Sequence, residues 1–111
     1  MTEMEEGSRS WSEQFRIAAK KWVDADAAAR LLEECKSATL SQRKKAFSGV
    51  PDSHAEREVK ASPEWLEYLS GMVEARTKAN YAKVRLEYIR MKFTEQNNKD
   101  ANVRHELRLT R

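Results

Sequence analysis

The sequence predicts an all-α fold: an elongated antiparallel helical hairpin with a coiled-coil-like seam, closed by a short connecting helix and assembling into a dimeric helical bundle. Three observations lead there. Glycine and proline are scarce, 3 and 2 in 111 residues, too few turn formers for a many-stranded β sandwich. Apolar residues recur at alternating spacings of three and four over long stretches, which marks a helix face. Charged residues make up 35% of the chain and the mean hydropathy is −0.86, values expected of long, exposed helices.

Residues 1–9, with Glu3, Glu5 and Glu6, read as a disordered acidic leader, and residues 10–111 as a single helical domain. Ser10 and Glu13 form an S-x-x-E capping box. Directly after the serine begins the seam Trp11, Phe15, Ala18, Trp22, Ala25, Ala29 and Leu32, spaced for packing along another helix. Leu31, Cys35, Ala38 and Leu40 extend the apolar surface, and no breaker intervenes before Ser48. The first helix is therefore expected over 10–48, continuous or bent near Ser37 to Ser41. Gly49, Pro51 and Asp52 make a turn. Ser53 with Glu56 is a second capping box, opening a short helix over 53–60 with Ala55 and Val59 inward.

Ser62-Pro63-Glu64 is a strong helix start, since serine caps, proline suits the first helical position and glutamate complements the helix dipole. Trp65, Tyr68, Met72, Ala75, Ala79, Ala82, Leu86, Ile89, Phe93 and Gln96 then alternate by three and four without a slip. They predict a helix over 63–96, roughly 50 Å long at 1.5 Å per residue, extending weakly to 109. The alanines in its middle, with Gly71 beside them, predict close approach of a partner helix. Two helices bury little surface, and three tryptophans require more cover than one helix supplies, so a homodimer is expected.

The net charge of +3 is unevenly spread: residues 1–75 hold 11 basic and 14 acidic side chains, residues 76–111 hold 10 and 4. With Met72 at heptad position a, the e and g positions are Arg76, Lys78, Lys83, Arg85, Arg90, Lys92, Lys99 and Arg104, all basic, with Asn97 the exception. Such rows disfavour parallel self-pairing through this seam. Two readings stay open. The cations pair with Asp24, Asp26, Glu33 and Glu34 of the first helix, or some remain outside and follow an anionic partner, either a phosphate backbone or an acidic protein surface. Tyr81 and Tyr88, seven apart on the outer face, either stack on unpaired bases or form a second buried seam in an oligomer. Arg43, Lys44 and Lys45 complement the dipole at the end of the first helix.

Catalytic signals are weak. Cys35 is the single cysteine, so no internal disulfide is possible and a reducing, cytoplasmic setting is expected. It has no histidine nearby in sequence and reads as a buried or half-buried structural thiol. His54 and His105 lack Cys or His partners at metal-ligand spacing, and Asp24 and Asp26 point to different faces of a helix. No phosphate-binding glycine loop or nucleophile elbow occurs. The expectation is no enzyme, no metal and no cofactor. No apolar run approaches the roughly 18 residues of a membrane span, and the acidic start is unlike a signal peptide.

Two stretches, Glu13 to Gln42 and Ala61 to Leu109, with the phrases WVDADAAARLLEECKSATLSQR and KASPEWLEYLSGMVEARTKANYAKVRLEYIRMKF, resemble small all-helical proteins of bacteriophages and prophages encoded near recombination and replication genes. The resemblance carries no catalytic motif and transfers no residue roles. It implies an accessory protein acting in the cytoplasm of the infected cell. The function expected first is a non-enzymatic accessory protein that uses its basic helix face to hold nucleic acid or a nucleoprotein complex. The alternative is an interaction module or inhibitor that binds an acidic surface of a host or phage nuclease or defence complex.

Overall fold

A computed structural model describes residues 9–110, and among them the chain is all-α with no strand. The helices are α1 (Trp11–Glu34), α2 (Lys36–Lys44), α3 (Asp52–Lys60) and α4 (Pro63–Leu109), with a 3-10 turn at Lys45–Phe47. Of the expected acidic leader, 1–9, residues 1–8 lie outside the described residues. Contacts gather into two compact units: Met1–Val23 with Tyr81–Arg111, termed unit 1, and Asp24–Asn80, termed unit 2. Each contains a segment of α1 and a segment of α4.

The start of α1 follows from its capping residue. Ser10 Oγ accepts a hydrogen bond from the Glu13 amide at 3.2 Å, satisfying one of the helix's orphan donors. The Glu13 carboxylate turns forward and takes Arg16 at 2.6 Å. At the other end the expected 10–48 helix is interrupted earlier than the Ser37–Ser41 bend: α1 stops at Glu34, α2 runs from Lys36, and a 3-10 turn follows. Cys35 keeps helical dihedrals (φ −84°, ψ −2°). Its amide still bonds Leu31 O at 3.0 Å, and its carbonyl accepts the Thr39 amide at 2.9 Å. The helix is thus interrupted at one residue without leaving the helical region, and neither glycine nor proline marks the place.

After extended Ser48, Gly49 adopts φ +92°, a left-handed conformation open to glycine at little steric cost. α3 begins at Asp52 behind Pro51, with no side-chain cap. Ser53 therefore sits inside the helix instead of capping it, because the proline ahead had already set the entry. Lys44 Nζ meets Asp52 at 2.9 Å and fastens the end of α2 to the start of α3. Ala55 and Val59 are buried.

The core of unit 2 also holds Ala29, Trp65 and Ala79. Trp65 and Tyr68 stack with ring centroids 5.4 Å apart. The Arg43 guanidinium lies 5.9 Å from the first ring and 5.8 Å from the second, a cation–π cover for both. The Tyr68 hydroxyl donates to Leu32 O. Ser62 joins α3 to α4: its hydroxyl donates to Val59 O at 2.6 Å and accepts the Trp65 amide at 3.2 Å. Contacts at Leu32–Tyr68 and Asp26–Arg76 set the two helical segments of this unit antiparallel.

The core of unit 1 is Ala18, Leu86 and Ile89, with Trp11, Phe15, Ala19 and Trp22 packed against it. The three tryptophans are thus divided between two cores, Trp11 and Trp22 in unit 1 and Trp65 in unit 2, where it is 3% accessible. Leu32, Tyr68, Met72, Ala82 and Phe93 of the predicted seam are half-buried. Gln96 is exposed, as is every residue from Thr94 to Thr110. α4 nevertheless continues to Leu109, past Asn97 and Asn98. One-turn links support it there: Gln96 Nε2 donates to Asp100 at 3.1 Å and Lys99 meets Glu95 at 3.8 Å.

Close packing falls at Ala29 and Ala79, which have no exposed surface. Gly71 plays no such part: a Cβ built on it would meet nothing within 4 Å. With Ala25, Ala28 and Ala75 it borders an open surface groove, where small side chains leave space unfilled.

Candidate nucleic-acid interface

The charge asymmetry follows the two units. The described part of unit 1, residues 9–23 and 81–110, carries 11 basic and 5 acidic side chains, whereas unit 2 carries 9 and 10. The N-terminal half of α1, with Arg16, Lys20 and Lys21, and Arg9 just ahead of it therefore belong with the basic C-terminal third.

At 100° per residue, the unit 1 segment of α4 presents two faces. Ala82, Leu86, Ile89 and Phe93 form one, with Leu86 and Ile89 buried. Tyr81, Val84, Tyr88 and Met91, spaced by three, four and three, lie on the opposite side and are exposed. Tyr81 is 73% and Tyr88 50% accessible. Each tyrosine has a cation four residues on, Arg85 and Lys92. The pattern repeats after seven residues, about 10.5 Å along the axis at 1.5 Å per residue. Lys92 Nζ stands 5.8 Å from the centre of the Tyr88 ring and 3.4 Å from Glu95.

The two basic rows have different surroundings. Arg76, Lys83, Arg90 and Arg104 form the e row. In unit 2, Arg76 grips Glu33 through Nε at 2.9 Å and Nη2 at 2.7 Å, and Asp26 through Nη1 at 2.7 Å. These hydrogen bonds hold the Glu33 carboxyl below its ordinary range and raise the Arg76 guanidinium above its own. In unit 1, Arg90 lies 5.8 Å over the Phe15 ring; Lys83 and Arg104 are exposed. The g row is Lys78, Arg85, Lys92 and Lys99. Lys78 meets Glu74 at 3.7 Å in unit 2. Arg85, Lys92 and Lys99 belong to unit 1, and the first two flank the tyrosine stripe. Asp26 and Glu33 of the first helix thus take Arg76, and the two rows read from the sequence differ in their surroundings.

Beside the stripe, unit 1 has a recess of about 410 Å³, its open mouth included, lined by Arg9, Gln14, Ile17, Ala18, Lys21, Ala82 and Arg85. Its floor is apolar, its rim carries three cations, and no carboxylate lines it. Val84, Met91 and, of the recess residues, Arg9, Gln14, Ile17 and Lys21 are the parts that sequence reasoning missed. Val84 and Met91 share the three-four spacing of the tyrosines, a signal present in the sequence. The recess arises where Ala18 and Ala82, from different helices, leave room together, and one helix's periodicity does not show that.

Elsewhere the chemistry is sparse. Cys35 is not the buried or half-buried thiol expected: at the α1–α2 break it is exposed, because its side chain falls off the packed face of the helix. His54 Nε2 lies 3.8 Å from Glu58. Among the described residues no group of three His, Cys, Asp or Glu side chains could hold a metal ion, and no helix is long and apolar enough to cross a membrane. No family model, no curated protein and no solved structure matches this chain.

Proposed function

We propose that this chain is a non-enzymatic binding protein for single-stranded nucleic acid, and that the outer face of α4 in unit 1 is its contact surface. The observation that carries the reading is the repeated pair Tyr81–Arg85 and Tyr88–Lys92 on the side opposite the core. An exposed aromatic ring stacks on any base, and a cation beside it meets the phosphate, the combination used by sequence-tolerant single-strand binders. Lys99 continues the phosphate track, and Lys83 and Arg104 add to the field. Arg76 is committed to Asp26 and Glu33 and takes no part. An accessory role of this kind agrees with the phage-type setting that the sequence resemblance implies.

The test is fluorescence anisotropy with labelled single- and double-stranded oligonucleotides at two salt concentrations. With three phosphate contacts, from Arg85, Lys92 and Lys99, the slope of log affinity against log salt is about −2 at roughly −0.7 per single-strand contact. A fourfold rise in salt then weakens binding about 15- to 20-fold. The double variant Arg85→Glu/Lys92→Glu is expected to lose binding while its far-ultraviolet circular dichroism stays unchanged. Undiminished binding by that variant, or no binding by the parent protein at low salt, refutes the proposal.

Val84 and Met91 favour a second reading. Exposed between the tyrosines, they complete a stripe with the spacing of a helix-packing seam, suited to an apolar helix with acidic flanks on a protein partner, or to a second copy of the chain. Under that reading oligonucleotides fail to bind. A dimeric mass that reverts to monomer in Val84→Glu identifies the second copy as the occupant.

A further inference from the structure

We propose that the recess of unit 1 seats one nucleotide of the bound strand, its base on the apolar floor and its phosphate on the cationic rim. This rests on the single-strand reading above and adds a site on α1 to it. Arg85 connects the two places. It follows Tyr81 by one turn of α4, and it also lines the recess with Arg9 and Lys21. A strand laid along Tyr81 and Tyr88 therefore passes the mouth of the recess at Arg85.

The lining matches a nucleotide in two respects. Ile17, Ala18 and Ala82 supply apolar surface suited to the face of a base, beside Gln14, whose amide donates to Arg9 O at 3.0 Å. Arg9, just ahead of α1, Lys21 of α1 and Arg85 of α4 line the recess, and no carboxylate does. Each arginine has five N–H donors in a planar fork, so one already engaged elsewhere still has donors for a phosphate oxygen.

The sequence supplies its own probe. Ile17 and Ile89 are the only isoleucines; Ile17 lines the recess and Ile89 is buried in the core of the same unit. Protein labelled with ¹³C at the isoleucine δ1 methyl therefore gives two assignable methyl signals. On titration with an oligodeoxythymidylate of about 10 nucleotides, within the usual site sizes, the Ile17 methyl is expected to move with the midpoint measured by anisotropy, while Ile89 stays in place. Lys21→Glu, at an exposed position outside the α4 face, is expected to lower the salt slope by about 0.7, one single-strand phosphate contact. If the strand binds but Ile17 moves no more than Ile89 and Lys21→Glu keeps the parent slope, the recess proposal is overturned and the single-strand reading stands. If the parent protein binds no strand at low salt, both fall.

Discussion

Replacing Trp65 by alanine probes which face of α4 is inside, and its neighbour provides the control. Trp65 is 3% accessible and Leu66 66%, so adjacent residues of one helix differ almost completely in burial. Truncating a buried large aromatic costs about 3–5 kcal/mol. That figure already includes most of the stacking on Tyr68 at 5.4 Å and the cover by Arg43, so these are not added. Alanine is the better helix former by several tenths of a kcal/mol, so the loss cannot come from helix propensity. A domain of this size has a total stability near the lower end of the usual 5–15 kcal/mol range, so Trp65→Ala removes a large share of it. With an m-value of about 1.5 kcal/mol per molar urea, the midpoint followed by circular dichroism falls by about 2–3 M, or the transition is lost. Leu66→Ala should change stability by no more than about 0.5 kcal/mol. Equal shifts for the two variants would refute the assignment of the inner face.

Three further outcomes are expected. Ala79→Leu forces three carbons into a position with no exposed surface and should lower stability by about 1–3 kcal/mol, whereas Gly71→Ala, where a Cβ meets nothing within 4 Å, should raise it by about 0.5–1 kcal/mol; thermal melts that rank the two the other way would contradict the placement of close packing. The Glu33 carboxyl is depressed below its ordinary value of 4.5 by Arg76, so its stabilisation is present in full above about pH 4.5 and is lost as pH falls through the depressed value. Melting temperatures of Glu33→Gln should accordingly depend less on pH below 4.5 than those of the parent, and parallel curves would speak against the Arg76–Glu33 bond. Tyr81→Ala and Tyr88→Ala should each weaken single-strand binding by about 1–3 kcal/mol, the range for one stacked base, with the salt slope unchanged because no charge is removed; a changed slope with undiminished affinity at low salt would show that the rings do not stack.

The inner face of α4 was legible because one uninterrupted apolar spacing, from Trp65 to Phe93, specifies it. The turn at Gly49 and the cap at Ser62 were legible because each uses a residue with a specific backbone role. The break at Cys35 was not, since its dihedrals stay helical and the residue carries no turn chemistry. Close approach was assigned partly to Gly71 on size alone, but a small residue permits contact without requiring it, and the structure leaves that position open. Arg43 was read as complementing a helix dipole; its place over Trp65 and Tyr68 depends on α2 folding back over α4, a long-range outcome that local spacing does not encode.

The fate of the basic rows follows from where α1 keeps its acids. Their pairing with α4 was weighed as though those acids were available along the whole helix. In fact residues 11–23 contain one acid, Glu13, already bonded to Arg16 at 2.6 Å, whereas Asp24, Asp26, Glu33 and Glu34 all fall in unit 2. Arg76 lies in that unit and takes Asp26 and Glu33. In unit 1 the α1 segment adds Arg16, Lys20 and Lys21 to the cations of α4, and Arg90 finds an aromatic ring at Phe15 instead of a carboxylate. Like charges gathered in one unit raise its self-repulsion, a cost that an anionic partner offsets. The excess of 11 basic over 5 acidic side chains in the described part of unit 1 is therefore the charge pattern on which the proposed polyanion contact rests. On that proposal the tyrosine stripe is the feature that selects unpaired bases over a duplex backbone.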